Sequence, residues 1–170
     1  MTALPDDGAH VEVAHFRRAV GRFTTGVCVV TTFVGRHDHA MTANAFTSVS
    51  LDPLLVLVCV EADARFHDAV LDAACWGVCV LDQTARPEAE WLATPGRPLI
   101  GQLDTVAHHR GPVTGVALLD HSLATMECVT EAVHPAGDHS IVVGRVVSVE
   151  LAPDGPGPLV YHRSGYRTLD

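Results

Sequence analysis

The stretch Met41-Thr-Ala-Asn-Ala-Phe-Thr-Ser-Val-Ser50, followed by Leu51-Asp52-Pro53, is the most informative part of this sequence. It combines small side chains, hydroxyl groups and one carboxamide in an extended run that ends at a proline-marked turn. Small side chains let a flat heteroaromatic ligand approach the backbone, and Thr, Asn and Ser can satisfy its polar edge. We therefore expect this stretch to be extended and to bind a ligand.

Apolar and β-branched runs on both sides of this stretch predict a chain that is mostly strand. Val27 to Phe33 and Ala40 to Phe46, separated by a short polar turn, are typical of a hairpin. Further strands are predicted over Leu54 to Val60, Trp76 to Leu81, Ser122 to His134 and His139 to Leu151. Six or seven strands joined mostly by turns favour an antiparallel barrel over a parallel α/β sheet.

Three short helices and one long loop complete the expected organisation. Apolar residues recur at helical spacing from about His10 to Arg22 and from Arg65 to Ala73. Glu88 to Leu92 is also predicted to be helical, because Pro87 precedes it. The stretch from Thr94 to Gly115 is rich in Gly, Pro and His and is expected to be a loop.

Composition limits the possible functions. The 170 residues fit one domain, with residues 1–9 expected to be a disordered tail. An apolar content of 48% with only 18% charged residues predicts that a second copy covers part of the surface, as a homodimer. The net charge of −9 argues against binding nucleic acid or an anionic membrane. No apolar run reaches the ~18 residues of a membrane span, and because Met1 to His10 is polar and acidic, no signal peptide is expected.

All 11 basic residues are arginines. The absence of lysine excludes a P-loop, a Schiff base and a lysine general base, so arginine or backbone N–H groups must bind any anion. The five cysteines form no C-x-x-C pair, and we interpret them as free thiols in a reducing cytoplasm.

Several common functional motifs are missing. The chain has no G-x-G-x-x-G, H-E-x-x-H or G-x-S-x-G. Its 11 histidines show no recognisable ligand spacing with carboxylates, so no metal site is expected.

Three polar positions remain as candidates for function. Asn44 lies mid-strand, where Asn is disfavoured, and with Ser48 and Ser50 it could recognise the edge of a heterocycle. Arg65 is the first residue of a predicted helix, where it could bind a phosphate or remain a solvated charge. Asp138 and His139 begin a strand, where they could equally be ordinary turn residues.

Five motifs in order resemble one known family. They are Phe16-Arg-Arg-Ala-Val-Gly-Arg-Phe-Thr-Thr-Gly-Val27, Met41-Thr-Ala-Asn-Ala-Phe46, Ser48-Val-Ser-Leu-Asp-Pro53, Gly137-Asp-His139 and Tyr161-His-Arg-Ser-Gly-Tyr166. Together they are similar to the short flavin reductases that supply reduced flavin to two-component monooxygenases. The match covers nearly the whole chain, from about His15 to Leu169.

The resemblance implies a mainly β fold, the FMN-binding split antiparallel β-barrel of Greek-key type, and a homodimer. It implies that FMN or FAD is reduced by NADH or NADPH. His139 would lie near the nicotinamide as the catalytic candidate. The positions implied to bind the cofactor are Thr42, Ala43, Asn44, Ala45, Phe46, Thr47, Ser48, Val49 and Ser50 for the ring and ribityl chain, Ala64, Arg65, Phe66 and His67 for the phosphate, and Tyr161 and Tyr166 as the pocket's cover.

The phosphate segment departs from the family pattern. Members often carry a hydroxyl group and a second cation in the segment before the helix, whereas Asp63-Ala64-Arg65-Phe66 has lost the hydroxyl positions and gained an acid. We therefore expect weaker phosphate binding and a loosely held flavin. Glu61 and Asp63 also favour NADH over NADPH, because a further phosphate would find few cationic partners.

The leading hypothesis is a cytoplasmic NAD(P)H:flavin oxidoreductase that supplies a partner monooxygenase. Two alternatives stay open. The chain could use bound flavin directly on a small organic substrate, such as a secondary metabolite. It could also be a non-catalytic flavin-binding or redox-sensing module, in which Cys59 beside the predicted pocket reports the oxidation state.

Overall fold

A seven-stranded antiparallel sheet forms the centre of the structure, a computed structural model that describes residues 11–169. The expected tail at residues 1–9 lies outside the described residues. The helices are α1 Val13–Val20, α2 Arg65–Asp72 and α3 Arg86–Ala93, with a 3-10 turn at Gln83–Ala85. The strands are β1 Thr25–Gly26, β2 Cys28–Val34, β3 His37–Ala43, β4 Phe46–Leu51, β5 Leu54–Glu61, β6 Cys75–Leu81, β7 His108–Arg110, β8 Ala117–Leu119, β9 Ser122–Ala136, β10 His139–Leu151, β11 Leu159–His162 and β12 Gly165–Thr168.

The large sheet curls into a split barrel because its two edge strands are neighbours along the chain. The strand order is β3-β2-β6-β9-β10-β5-β4, so β3 and β4 lie at opposite edges. Only Asn44 and Ala45 join them, which forces the two edges to approach each other. Ala45 accepts a backbone hydrogen bond from Cys59 N at 3.0 Å on the β5 side. The expected split antiparallel β-barrel is confirmed, and the short link lies at the split.

One hydrophobic core fills the barrel. Its largest member, Trp76, is fully buried among valines from β2, β5, β6 and β10. Gly144 on β10 is required there, because a Cβ atom at this position would lie 2.5 Å from the Trp76 ring. The inner face of α2 closes this core with Phe66 and Val70, each contributing about 1.5–3 kcal/mol by its burial.

A second core covers the outside of the sheet. Along β2, Cys28 and Val30 belong to the inner core, whereas Val29 packs into the outer one. The outer core also contains Leu92 of α3 and the β8 strand. Because β2 is buried on both faces over most of its length, it carries no charged residue, and its two threonines donate to backbone carbonyls, Thr31 to Ala117 and Thr32 to Cys75.

The 3-10 turn Gln83–Ala85, which leads into α3, is capped at its start. Asp82 accepts hydrogen bonds from Thr84 N at 2.7 Å and Thr84 Oγ1 at 2.6 Å, which satisfies a free backbone donor of this turn. Pro87 then lies in the first turn of α3, where its missing N–H costs nothing.

The expected strand count was wrong, since the described residues form twelve strands rather than six or seven. The stretch 94–115 is not all loop, because the polar β7 pairs with β8. The C-terminal tail likewise forms the β11–β12 hairpin, whose turn has positive φ at Arg163 and Ser164. Strands of three or four residues are too short to show an apolar period, so the sequence pattern alone does not predict them.

Several predicted elements have different ends in the structure. α1 is shorter than predicted and ends at Val20, with Gly21 as its C-cap. α3 is three residues longer than predicted, because it begins at Arg86 and ends at Ala93. The run Ala40–Phe46, predicted as one strand, divides into the end of β3 and the start of β4. The predicted turn at 135–138 shrinks to Gly137–Asp138, where Gly137 has φ +68°.

The three α-helices have eight residues each, and none within residues 11–169 has the length and apolar character needed to cross a bilayer.

Candidate functional site

A cavity of about 390 Å³ lies beside the free edge of β3. Its walls come from His39–Thr42 of β3, from the end of β5 and the start of α2, and from residues between 92 and 102. A volume of this size is in the range of small-molecule sites. We name it the arginine cavity, because Arg65 and Arg97 both line it.

The edge of β3 is held rigidly by the segments that cover it. The backbone N–H of Ala40 donates to Gln102 Oε1 at 3.1 Å, and Thr42 Oγ1 donates to the Ala89 carbonyl at 2.7 Å. Trp91 Nε1 donates to the Gln102 carbonyl at 2.9 Å, which ties α3 to the same loop. These bonds satisfy an edge that would otherwise be open and give the cavity a defined wall.

Two guanidinium groups lie together in the arginine cavity. Arg65 Nη1 donates to the backbone carbonyl of Arg97 at 2.8 Å. The Arg97 Nη1 and Nη2 groups donate to the carbonyls of Thr94 and Ala40, respectively. Burial, with a smaller contribution from the positive charge of Arg65, lowers the pKa of Arg97 from its ordinary value, although an arginine remains charged at neutral pH.

One donor in this cavity has no partner. The Nε atom of Arg97 is buried and makes no hydrogen bond to any described residue. A buried, unpaired donor on a charged group costs free energy, so an acceptor supplied by a ligand would stabilise it.

Acidic groups balance the two arginines. Glu61 and Asp63 line the same cavity. His39 contributes little positive charge, because burial and then the neighbouring His37 lower its pKa, outweighing the opposite effect of Asp38.

A second cavity of about 180 Å³ lies on the other side of Thr42. We name it the tyrosine cavity, because Tyr161 and Tyr166 line it and meet edge to face, with ring centroids 5.4 Å apart. Thr42 and Ala93 line both cavities, so the two are adjacent. Val27, Ala43 and Asn44 complete the wall, which is therefore narrow, mostly apolar and aromatic.

Only the first part of the predicted ligand-binding stretch lines the two cavities. Thr42, Ala43 and Asn44 line the cavities, whereas Ala45 through Ser50 line neither. Phe46–Ser50 belong to the edge strand β4, with a register shift between Ser48 and Ser50 where it pairs with β5. An edge strand leaves alternate N–H groups unpaired, and bulges often occur near binding sites, so β4 offers backbone donors at the split.

Only three of the four residues predicted to bind the phosphate line the arginine cavity. Ala64, Arg65 and Phe66 line it, although Phe66 is 3% exposed and serves mainly the core. His67 faces away, and its Nε2 lies 2.9 Å from Ser140 Oγ.

His139 lies near the arginine cavity without lining it. It is the antiparallel register partner of Glu61, which does line the cavity. Its Nδ1 lies 2.7 Å from Asp138 Oδ1, and this hydrogen bond lowers the pKa of Asp138 below its usual value. The His139 side chain is 41% exposed and remains accessible to a ligand.

Cys59 lines neither cavity. It is half-buried on β5, opposite Ile141 of β10. The redox-sensing alternative depended on this thiol being beside the pocket, and the structure gives it no such place. Cys28, Cys79 and Cys128 are buried, and burial raises the pKa of each to about 12, so these three thiols are unreactive.

Two residues that line the arginine cavity follow α3 and were not predicted from the sequence. Arg97 and Gln102 lie in the segment interpreted only as a loop, and both line the arginine cavity. An arginine within Pro95-Gly96-Arg97-Pro98 of a lysine-free chain was the available indication.

With these features in place, the chain can be assigned to a class: it belongs to the family described as the flavin reductase like domain, which matches residues 20–170. The resemblance drawn from the five sequence motifs is thereby confirmed.

Three relatives show how close the match is. The reductase component of 4-hydroxyphenylacetate 3-monooxygenase from Thermus thermophilus is 40% identical over 154 residues, covering 91% of this chain and 95% of the relative. BorF, the flavin reductase component of a bacterial two-component tryptophan halogenase, is 43% identical with a TM-score of 0.87, covering 93% and 98% of the two chains. The NADH:FAD oxidoreductase SgcE6 of Streptomyces globisporus, in complex with NAD and FAD fragments, is 32% identical with a TM-score of 0.86, covering 99% and 98%.

Proposed function

We propose that this protein is an NADH:flavin oxidoreductase that reduces FMN or FAD as a diffusible substrate. The observation that carries the proposal is the pair of adjacent cavities along Thr42, aromatic at one end and cationic at the other. This arrangement matches a flavin nucleotide, which has a flat ring at one end and a phosphate at the other. The reaction consumes NADH, a proton and oxidised flavin, and yields NAD⁺ and reduced flavin.

The residues present fit a flavin. Ala43 and the tyrosine pair provide a narrow, mostly apolar slot for a planar ring. Asn44 supplies an amide for a polar ring edge. The guanidinium groups of Arg65 and Arg97, which both line the arginine cavity, provide donors for a phosphate. A bound flavin supplies the redox chemistry by accepting two electrons from the reduced nicotinamide.

The work of this chain is to orient the reactants and exclude water, because a cofactor-based transfer needs no nucleophile from the protein. The free N–H groups of β4 would donate to the ring's polar edge at the split. His139 would position the nicotinamide, since it lies at the start of β10 beside Glu61. Tyr161 and Tyr166 would close the site on the opposite side.

We propose NADH rather than NADPH as the electron donor. The additional phosphate of NADPH lies on the adenosine ribose and needs a cation of its own. The two arginines that line the arginine cavity are the ones proposed to bind the flavin phosphate, and the carboxylates beside them, Glu61 and Asp63, would repel a further phosphate there. SgcE6, which shares the fold, is named as an NADH-dependent enzyme.

We propose that the protein is a homodimer. α1 has no buried residue, and Phe16 and Phe23 at this end of the chain are 61% and 74% exposed. Leu51 and Leu151, on β4 and β10, are 86% and 74% exposed. Apolar surface this extensive is typical of an interface, and a second copy is its simplest occupant. Light scattering that gave a monomer mass would contradict this proposal.

We further propose a partner oxygenase that consumes the reduced flavin, and a cytoplasmic location. The Thermus relative is named as the reductase component of a monooxygenase, and BorF as the flavin reductase component of a two-component halogenase. The five cysteines are all free, which suits a reducing compartment where NADH is available.

Anaerobic bleaching of an excess of free FMN tests whether flavin is a substrate. With NADH present, a catalytic amount of the protein should bleach all the flavin absorbance near 450 nm. Bleaching limited to one flavin per protein molecule would instead indicate a fixed prosthetic group and would contradict the proposal.

A further inference from the structure

We infer that Arg97 is the second phosphate-binding cation of the site, and that it makes the protein discriminate FMN from unphosphorylated riboflavin. This inference rests on the proposed function and assigns a specificity role to a residue outside the segment Ala64–His67.

The geometry of Arg97 leaves donors free for an anion. A guanidinium has five N–H donors, and the bonds to the Thr94 and Ala40 carbonyls use one on each Nη group. These two bonds anchor the side chain between the loop and β3. The Nε–H donor remains buried and without a partner among residues 11–169. One N–H on each Nη group is left over, and these two donors could bind a phosphate oxygen without disturbing the two anchoring bonds.

Arg65 and Arg97 form a unit that an anion would stabilise. The hydrogen bond from Arg65 Nη1 to the Arg97 carbonyl keeps the two residues together, although both side chains are positive. Their mutual repulsion contributes to the lowered pKa of Arg97, after the larger effect of burial. A dianionic phosphate between them would replace this repulsion with two charge-assisted interactions.

The charge balance of the cavity requires the second arginine. Glu61 and Asp63 carry two negative charges in its wall, so Arg65 alone would leave the site net negative. Such a site would repel a phosphate dianion. With Arg97 included, the four charges cancel and the two guanidinium groups can bind the phosphate. The hydroxyl groups that the segment before α2 lacks are therefore replaced by a cation from a different part of the chain.

Equilibrium binding of FMN and riboflavin tests the inference without relying on turnover. Flavin fluorescence quenching would give both dissociation constants for the unmodified protein, R97Q, R97K and R65Q. R36Q, in the exposed β2–β3 turn, is the matched control. We expect R97Q to weaken FMN binding by about 10-fold or more, the usual size for a lost hydrogen bond to a charged group. Riboflavin binding should change by less than about 2-fold, and R36Q should change neither.

The two flavins separate a phosphate role from a structural one. R97K retains the charge but loses the planar fork, so its FMN affinity should fall between those of the unmodified protein and R97Q. Equal weakening of FMN and riboflavin in R97Q and R97K would show that Arg97 only supports the cavity, and the inference would be wrong. An unmodified protein that reduces neither flavin with NADH would instead overturn the proposed function, whatever R97Q does to binding.

Discussion

The imidazole of His67 on α2 shares a hydrogen bond with the hydroxyl of Ser140 on β10, with Nε2 and Oγ 2.9 Å apart. Ser140 follows His139 directly, and His67 lies two residues after Arg65. One bond therefore connects the element that carries the proposed phosphate cation to the strand that carries the proposed nicotinamide residue. Both side chains are largely buried, which protects this bond from water.

Removing this hydrogen bond should affect stability and binding together. In Ser140→Ala we expect a loss of about 0.5–1.5 kcal/mol in the free energy of unfolding, the net value of one such bond. We also expect a higher KM for flavin, because α2 is no longer held in register with β10. Calorimetry and steady-state kinetics would measure the two effects. Thr105→Ala, on an exposed loop, is the control, and a Ser140→Ala variant indistinguishable from it would refute this connection.

His139 should act on the nicotinamide and not on the flavin. His139→Ala is expected to raise the KM for NADH by roughly 5–10-fold, about the effect of one lost hydrogen bond, with the KM for flavin unchanged. Asp138→Asn keeps the imidazole and should have a smaller effect. If both kcat and the KM for NADH stayed at their original values in His139→Ala, the positioning role would be disproved.

Asp63 should weaken phosphate binding. Removing its charge in Asp63→Asn leaves Glu61 as the carboxylate facing the two arginines of the cavity. We expect FMN to bind about 2–5-fold more tightly, which corresponds to an exposed charge interaction of roughly 0.5–1 kcal/mol. Raising the salt concentration should reduce this gain, because salt screens exposed charges. Unchanged FMN affinity at low salt would show that Asp63 does not face the bound phosphate.

Glu127 should make the stability of the fold dependent on pH. Its carboxylate is fully buried and accepts hydrogen bonds of 2.6 Å from both Thr114 N and Thr114 Oγ1. Burial alone would raise the pKa of Glu127, but these bonds and those from Val113 and Ser148 outweigh it, so the pKa lies below its ordinary value. The stabilisation is therefore present above the unfolded-state pKa of about 4.3 and is lost as the pH falls through the lower folded-state pKa.

Urea unfolding across this pH range would test the effect of Glu127. Glu127→Gln should lower the free energy of unfolding near neutral pH by about 1–3 kcal/mol, because its amide cannot accept all the N–H and O–H donors. The difference from the unmodified protein should shrink in acid. Glu131→Gln, on the same strand with a side chain 51% exposed, should have little effect at any pH. An equal loss in both variants would contradict the assignment.

The sequence predicted the main strands well and the short strands poorly. Strands β2, β5 and β10 have clear apolar patterns because each is long and packs against a core. β7 consists of His108–Arg110, three polar residues that become a strand only because β8 pairs with them. Although β8 lies only seven to eleven positions further along the chain, a polar strand of three residues has no apolar period, so local periodicity does not reveal it.

The residues of the candidate site also divide into those that the sequence predicts and those that it does not. Thr42, Asn44, Arg65 and the two tyrosines could be selected from motifs, and the structure places them on two adjacent cavities. Arg97 could not, because its role depends on the loop after α3 folding back onto the edge of β3. The bonds that hold this loop there, from Ala40 N to Gln102 Oε1 and from Arg97 to the Ala40 carbonyl, join residues about sixty positions apart in the chain.

NADH oxidation by the purified protein, measured against increasing concentrations of added FMN and then FAD, tests the central claim most directly. We predict a rate that is close to zero without flavin and that rises to saturation as flavin is added, with the two flavins ranked by their half-saturating concentrations. A protein that oxidises no NADH at any flavin concentration would contradict the assignment as a flavin reductase.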